Sequence, residues 1–431
     1  MSEEPIPAVE AEFSWDTLVE RYWDRRPVLF RSVTPAPFEA SEVFRAAVAG
    51  SRGAHEDGRM PPNVQFTVEH VQRDAPAGAL PTDEDGSFDA YDARLAARLD
   101  GRRHALVVNG FHAFDPALWS RERAFFDPLW RAVGLPLTGA ITTLFHGTYE
   151  HSPVGVHKDR FATFMFGLRG RKRMRFWPRR PWDEAVSTKT DYARHTAASV
   201  YADVGPGELL YWPADYYHVG ESAGAGAAPA TSVNVGVPRD EHHAGYELED
   251  LLADLDPARL AGHGGLDTLP ATPDTALTAR GPGREGLLAP ALPKALTTAV
   301  HALYEFAEPV AMGRRVTVVS LRRWTAGGFE PVPPAAPPRA LMDTDRLRGD
   351  RHTRIRWAPD GPAGTVCAAN GHETHTSLGH HELRRLTDAL SGRDPVPVGD
   401  LLTTAAPGPR REDLRTLLEV LESFRAVHRE P

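Results

Sequence analysis

Between residues 139 and 238 the chain breaks into six short strand-like segments: AITTLFHG, ATFMFGLRG, RMRFWPR, SVYADV, GELLYWP and TSVNVGVP. Turn-like stretches rich in Gly, Pro and Asp separate them. Six such segments in about 100 residues predict an antiparallel double-stranded β-helix, or jelly roll, as the mainly β core of the molecule.

The flanking pattern is different. Residues 13–30, FSWDTLVERYWDRRPVLF, predict a helix running into an extended segment. Phe13, Leu18, Tyr22 and Trp23 share one face of that helix, and Pro27 ends it. PNVQFTVEHVQ (62–72) alternates as a strand, 75–88 reads as a Gly/Asp/Pro-rich surface loop, and HALVVNGF (104–111) as a short apolar strand. Residues 116–133 predict a helix with Leu118, Phe125, Phe126, Leu129 and Trp130 turned inward. After Pro238 the chain becomes helical, over 246–255 and 295–307, around a Gly/Pro/Thr-rich loop at 261–284. GFEPVPPAAPPRA (328–340) reads as a proline-rich linker. Beyond it, TRIRWAP and GTVCAANGHETHTS suggest a β-hairpin, and 380–392 and 411–427 are amphipathic helices. A hairpin beside two helices suggests a winged-helix-like module. The expected organisation is a catalytic domain over 1–243, a helical support or dimerisation region over 244–327, the linker at 328–340, and the winged-helix-like domain over 341–431.

Composition narrows the classes. Of 431 residues, 41% are apolar and 25% charged, as in an ordinary soluble globular protein. The longest apolar runs fall far short of the roughly 20 residues that cross a bilayer, so no membrane partner is expected. The acidic N-terminal stretch MSEEPIPAVEAEF has no apolar signal core, which argues against secretion. The single cysteine, Cys367, excludes an internal disulfide framework and a Cys-rich zinc site, and reads as a small residue packed in a β-rich segment. The cysteine count fits a reducing cytoplasm. A net charge of −9 argues against broad binding to nucleic acid.

The chemistry-bearing pattern is His157-Lys158-Asp159 just before a strand, with His218 following YWPADYY some sixty residues later. Residues two apart in extended backbone project to the same side and can grip one ion. Two imidazoles and a carboxylate can occupy one face of an octahedral Fe(II), leaving three positions for other ligands. On its own His-x-Asp is a common turn or surface hydrogen-bonding pair. GPGELLYWPADYYHV, read as turn, strand, turn and histidine, returns the chain to the same barrel mouth. His146, His151 and His195 are rival ligands without that setting. Tyr201, Tyr211, Trp212, Tyr216 and Tyr217 read as barrel packing. His372, His375, His380 and His381 read as a solvated loop, since HETH is not the HExxH zinc-hydrolase pattern.

Three segments taken together resemble the JmjC hydroxylases, the group that includes asparaginyl hydroxylases and ribosomal-protein oxygenases. They are HKDRFATFMFGLRGRKRMRFWP, VGPGELLYWPADYYHVGES and TSVNVGVP. The resemblance is good over about 139–238 and looser over 14–30 and the C-terminal module. It implies an enzyme using Fe(II), 2-oxoglutarate and O2, with His157, Asp159 and His218 as metal ligands. It also implies that Lys172 pairs with the far carboxylate of 2-oxoglutarate. Thr163 and Asn234 stand where polar residues can face the cosubstrate. Val154 departs from the pattern, because some members carry a threonine there. The implied reaction couples decarboxylation of 2-oxoglutarate to succinate with hydroxylation of an amino-acid side chain in a protein or peptide. Tailoring of a peptide natural product or a carrier-bound amino acid, methyl-lysine demethylation, and a non-catalytic cupin-like binding role are the alternatives. Retention of the three ligand types and Lys172 speaks against the last.

Overall fold

The computed structural model describes residues 7–52, 60–74, 78–148, 152, 154–222, 228–241, 243–252, 299, 302–304, 306–361, 364–392 and 394–430. The first 240 residues carry strands β1 (Ala8–Glu10), β2 (Val28–Phe30), β3 (Val64–Val68), β4 (Val71–Gln72), β5 (His104–Asn109), β6 (Ala140–Gly147), β7 (Phe161–Arg169), β8 (Lys172–Trp177), β9 (Val200–Val204), β10 (Leu209–Trp212), β11 (Tyr217–Ser222) and β12 (Ala230–Pro238). All six strand-like segments are strands. A further strand, β11, contains His218 itself, where a turn and histidine were expected.

Two sheets result. The larger has the order β1-β2-β10-β7-β12-β6-β5-β3-β4, and the smaller β11-β8-β9. Side chains alternate along each strand, so the larger sheet has two distinct faces. Leu144, Phe164, Phe166, Leu209, Tyr211, Val233 and Val235 join one buried cluster with residues of the flanking helices Ala40–Ser51, Phe88–Arg98 and Pro116–Val133. Met165, Leu210 and Trp212 point the other way and pack with Met174 and Phe176 of the smaller sheet. The second face is the barrel interior. Aromatic contacts pin the helical face: Phe126 meets Phe164 edge-on with ring centres 5.2 Å apart and stacks on Trp130 at 5.8 Å. Truncating such a fully buried Phe typically costs about 3–5 kcal/mol.

Several sequence expectations need correction. The first helix runs Trp15–Arg21, capped by Ser14, so Phe13 lies outside it and instead packs on Trp15, Phe30 and Phe125. The strand expected over 62–72 is a tight hairpin, β3 to β4, turning through Glu69 and His70, both with positive φ. Within the loop expected over 75–88, Ala79 and Leu80 are buried. The helices Ala40–Ser51 and Phe88–Arg98 were not anticipated. Tyr201 is 52% exposed and lies under Arg173 and Arg175 on the outer face, so it does not fill the barrel.

After Ala244–Leu252, the stretch 253–298, with the loop expected at 261–284, lies outside the described residues, and of the helix expected over 295–307, residues 299, 302–304 and 306 are described and helical. The helix Pro309–Thr325 leads into β13 (Phe329–Glu330), which pairs in parallel with β6. The proline-rich stretch therefore begins as an anchored strap, with Phe329 fully buried. Beyond residue 341 a separate cluster forms around Leu347, Leu383, Leu386, Leu414, Leu418 and Leu421. The expected hairpin is a three-stranded meander: β14 (Arg346–Gly349) precedes β15 (Arg356–Pro359), β16 (Thr365–Ala369) and β17 (His372–Thr376). The HETH run is thus strand, not loop. His372 contacts the Pro333 carbonyl and His375 the Asp360 carboxylate. Cys367 is buried in β16.

Candidate active site

Strand β7 is preceded by the His-x-Asp pair, and β11 brings His218 against it. His157 and His218 form a two-residue antiparallel bridge, with N···O distances of 3.0 and 2.8 Å in the two directions. Their rings lie 4.5 Å apart, centre to centre. Asp159 reaches both: Oδ1 lies 3.5 Å from His157 Nε2 and Oδ2 3.3 Å from His218 Nε2. Side-chain exposure rises from 5% at His218 to 21% at His157 and 39% at Asp159. The group therefore opens to solvent on the carboxylate side.

The other ring nitrogens set the chemistry. Nδ1 of His157 lies 2.9 Å from the Gly155 carbonyl, and Nδ1 of His218 3.2 Å from the Tyr216 carbonyl. A carbonyl only accepts, so each Nδ1 carries a proton and each ring turns its Nε2 toward Asp159. Burial pushes the His218 pKa down, and the neighbouring His157 charge works in the same direction. Burial also opposes a charged His157, but the hydrogen bond and charge of Asp159 prevail and its pKa rises. For Asp159 burial works upward, yet the two imidazoles hold the carboxylate far below its usual range. With His218 neutral, a lone pair faces a carboxylate oxygen at 3.3 Å, which is repulsive unless a cation lies between them. These three residues could hold a metal ion, and the donor set fits a ferrous ion.

The barrel wall behind the group is polar in places. Lys172 opens β8 just past the Gly170 turn, where φ is +62° and a Cβ would meet the Pro229 carbonyl oxygen at 2.4 Å, so only glycine is tolerated. Its side chain turns inward and is 92% buried, with Nζ 3.5 Å from Ser232 Oγ and 4.6 Å from the centre of the Phe145 ring. Thr163 is buried on the interior face, with Gly236 as its β12 neighbour. Asn234 is on that face too, and its Oδ1 is buried without a hydrogen-bond partner among the described residues. The same holds for Nε1 of Trp212, whose ring lies 5.2 Å from that of His218. A cation and an unused N–H donor inside the barrel suit a dicarboxylate. Trp212 was read as barrel packing without a role for its Nε1, and Phe145 and Ser232 as wall residues were missed in the sequence. Ser232 was within reach of it, since Asn234 and Ser232 are two apart on one strand.

The rival histidines are elsewhere. His146 is buried on the helical face, stacked on Phe88. His195 lies against Trp182 in the turn before β9, and His151 is outside the described residues. Val154 is half exposed.

No family model matches the chain, and none of the curated proteins does. Among solved structures it is similar to those of Escherichia coli YcfD. One of these has 15% identity and a TM-score of 0.46, covering 98% of this chain and 99% of that one. YcfD described as a ribosomal oxygenase in complex with cobalt and 2-oxoglutarate has 18% identity and a TM-score of 0.45, covering 97% and 99%. The complex with cobalt and succinic acid has 18% identity and a TM-score of 0.46 over the same shares.

Proposed function

We propose that this chain is an Fe(II)- and 2-oxoglutarate-dependent oxygenase of the JmjC type that hydroxylates an amino-acid side chain in a protein or peptide. The observation that carries the reading is the convergence of two Nε2 lone pairs and one carboxylate, each imidazole locked in the ligating tautomer by a backbone carbonyl. His157, Asp159 and His218 would hold the iron. Lys172 would take the far carboxylate of 2-oxoglutarate, with Thr163, Asn234 and Trp212 Nε1 supplying polar contacts nearer the metal. When bound, iron and 2-oxoglutarate supply oxygen activation coupled to loss of carbon dioxide and formation of succinate.

The rest is the chain's own part. The smaller sheet and the Met165, Leu210 and Trp212 side chains keep water from the back of the site. A candidate substrate cavity of about 720 Å³ is lined by Asn109, Ile141, Arg160, Phe161, Asp240 and Tyr246, among others. Two of its lining residues, Arg160 and Phe161, directly follow Asp159 in the chain. Its mixed cations, anions and amides suit an extended peptide with a polar backbone. The separately packed region beyond residue 341, read as winged-helix-like, would help present that substrate.

The test is anaerobic loading with Fe(II), then addition of 2-oxoglutarate, O2 and candidate peptides. Succinate release with a gain of one oxygen on a peptide is the expected result. A fully iron-loaded protein that forms no succinate with any peptide, and none in uncoupled turnover, would overturn the reading.

A further inference from the structure

On the opposite face of the larger sheet sits a second cluster that this function does not use. We propose that Asp92, His104 and His146 form a separate binding site for a divalent ion of the zinc class. His104 comes from β5, His146 from β6, and Asp92 from the helix Phe88–Arg98 that covers them. One ligand atom from each lies within 4.8 Å of the other two. Both histidines are buried, His146 completely.

The decisive atom is Nε2 of His104, buried and without a hydrogen-bond partner among the described residues. The Nδ1 of the same ring is 3.4 Å from Thr148 Oγ1, which leaves Nε2 for another purpose. A buried ring nitrogen left unpaired is costly in a packed core. Burial, aided by the neighbouring His146, holds this imidazole near a pKa of about 4, so it is neutral at pH 7 with its lone pair available.

The other two ligands are already oriented. His146 Nε2 is 2.8 Å from Asp92 Oδ1, and its Nδ1 is 2.9 Å from Thr231 Oγ1. An incoming ion takes the place of a proton between His146 and Asp92. That proton moves to Nδ1, where the Thr231 hydroxyl accepts it, so no charge is gained or lost on the ring. Asp92 Oδ2 stays with Arg169 at 3.2 Å. Zinc–ligand bonds of about 2.0–2.2 Å then ask for a shift of His104 on the order of an ångström, with water as the fourth ligand. Phe88 and Tyr91 close over His146. The ion would clamp the covering helix to β5 and β6, a structural site independent of the iron group.

The test uses the full chain, stripped with chelator and titrated with Zn(II) alone. His157→Ala/His218→Ala dismantles the first group, and this double variant should retain one zinc per chain after gel filtration. Its melting temperature should rise on zinc addition. Adding His104→Phe, which keeps the ring volume beside Phe66 (centres 6.1 Å apart), should abolish both the zinc and the zinc-dependent rise. If that triple variant folds poorly, Asp92→Asn on the double background should show the same loss. A double variant that takes up no zinc, or a triple variant that takes up as much as the double, overturns the site. Neither outcome bears on oxygenase activity, which fails or succeeds separately.

Discussion

Lys172 is the single residue that separates a 2-oxoglutarate enzyme from other metal proteins with this core. Its ammonium is buried on the barrel wall beside Ser232 and Phe145, where a carboxylate left without it would be poorly solvated. Losing such a charge-assisted contact costs about 2–5 kcal/mol, roughly thirty- to several-thousand-fold in affinity. Lys172→Ala should therefore raise the Michaelis constant for 2-oxoglutarate sharply, measured by succinate release, while Fe(II) content stays near wild type. Lys172→Arg should rescue little, because a planar guanidinium is longer and differently shaped. The ligands should behave oppositely. His157→Ala or Asp159→Ala should lose iron with the fold intact, since both residues sit at the open edge and anchor no core cluster; undiminished iron binding in either would remove the triad assignment. Cys367 illustrates a residue with no chemistry to offer. Burial alone pushes its thiol up to about 12, so the native protein should resist iodoacetamide at pH 8 and label only on unfolding.

Among the strands, β11 has two tasks: it delivers His218 and makes room for Lys172. A Cβ on Gly220 would stand 2.9 Å from Lys172 Cε and 3.3 Å from Met174 Sδ. Gly220→Ala should thus displace the lysine stem and weaken 2-oxoglutarate binding in titrations, leaving metal content unchanged because His218 remains bridged to His157. Equal 2-oxoglutarate dependence in the variant and wild type would show that this packing does not matter. Strand β11 also marks the limit of what could be read in the sequence. His157 and Asp159 were legible as a candidate pair because a spacing of two on extended chain is a local signal, whereas Lys172 was reached only through the resemblance to the JmjC hydroxylases. Gly220 carries no local signal, since its importance comes from β8 across the sheet. The helix Ala40–Ser51 was hidden for a related reason: Val43, Phe44, Ala46, Ala47, Val48, Gly50 and Ser51 are all buried, so little polar face marks its period. Asp92, His104 and His146 lie far apart in sequence and meet only because β5 joins β6 under one helix.

At the scale of the whole molecule, the region beyond residue 341 is fastened to the first half through one buried cation. Arg123, on the helix Pro116–Val133, donates to Asn370 Oδ1 at 2.7 Å and to the His352 carbonyl at 2.9 Å, with its guanidinium 4.2 Å from the Trp119 ring centre. Burial lowers its pKa to about 10, so it is still charged at pH 7 and depends on those partners. Asn370 in turn is held by Thr353 and by the Phe424 carbonyl. Arg123→Met removes the charge along with its hydrogen bonds and should cost about 1.5–3 kcal/mol. Asn370→Leu leaves the charge in place with one acceptor fewer, and should cost more, about 3–5 kcal/mol. The order of the two in calorimetry is the decisive quantity, because a merely steric contact would make the larger Arg123 truncation the worse. Nearby Asp350 adds a pH signature. Burial alone would raise its pKa, but hydrogen bonds from His428 and the His352 backbone, with the Arg123 charge, lower it to about 2. A depressed folded-state value gives stability that is fully present above the unfolded carboxylate pKa and is lost as pH falls toward 2. Wild type should therefore lose this contribution between about pH 4 and 2, and Asp350→Asn should flatten the stability profile over that window. A profile unchanged by the substitution would place the acid-sensitive contact elsewhere.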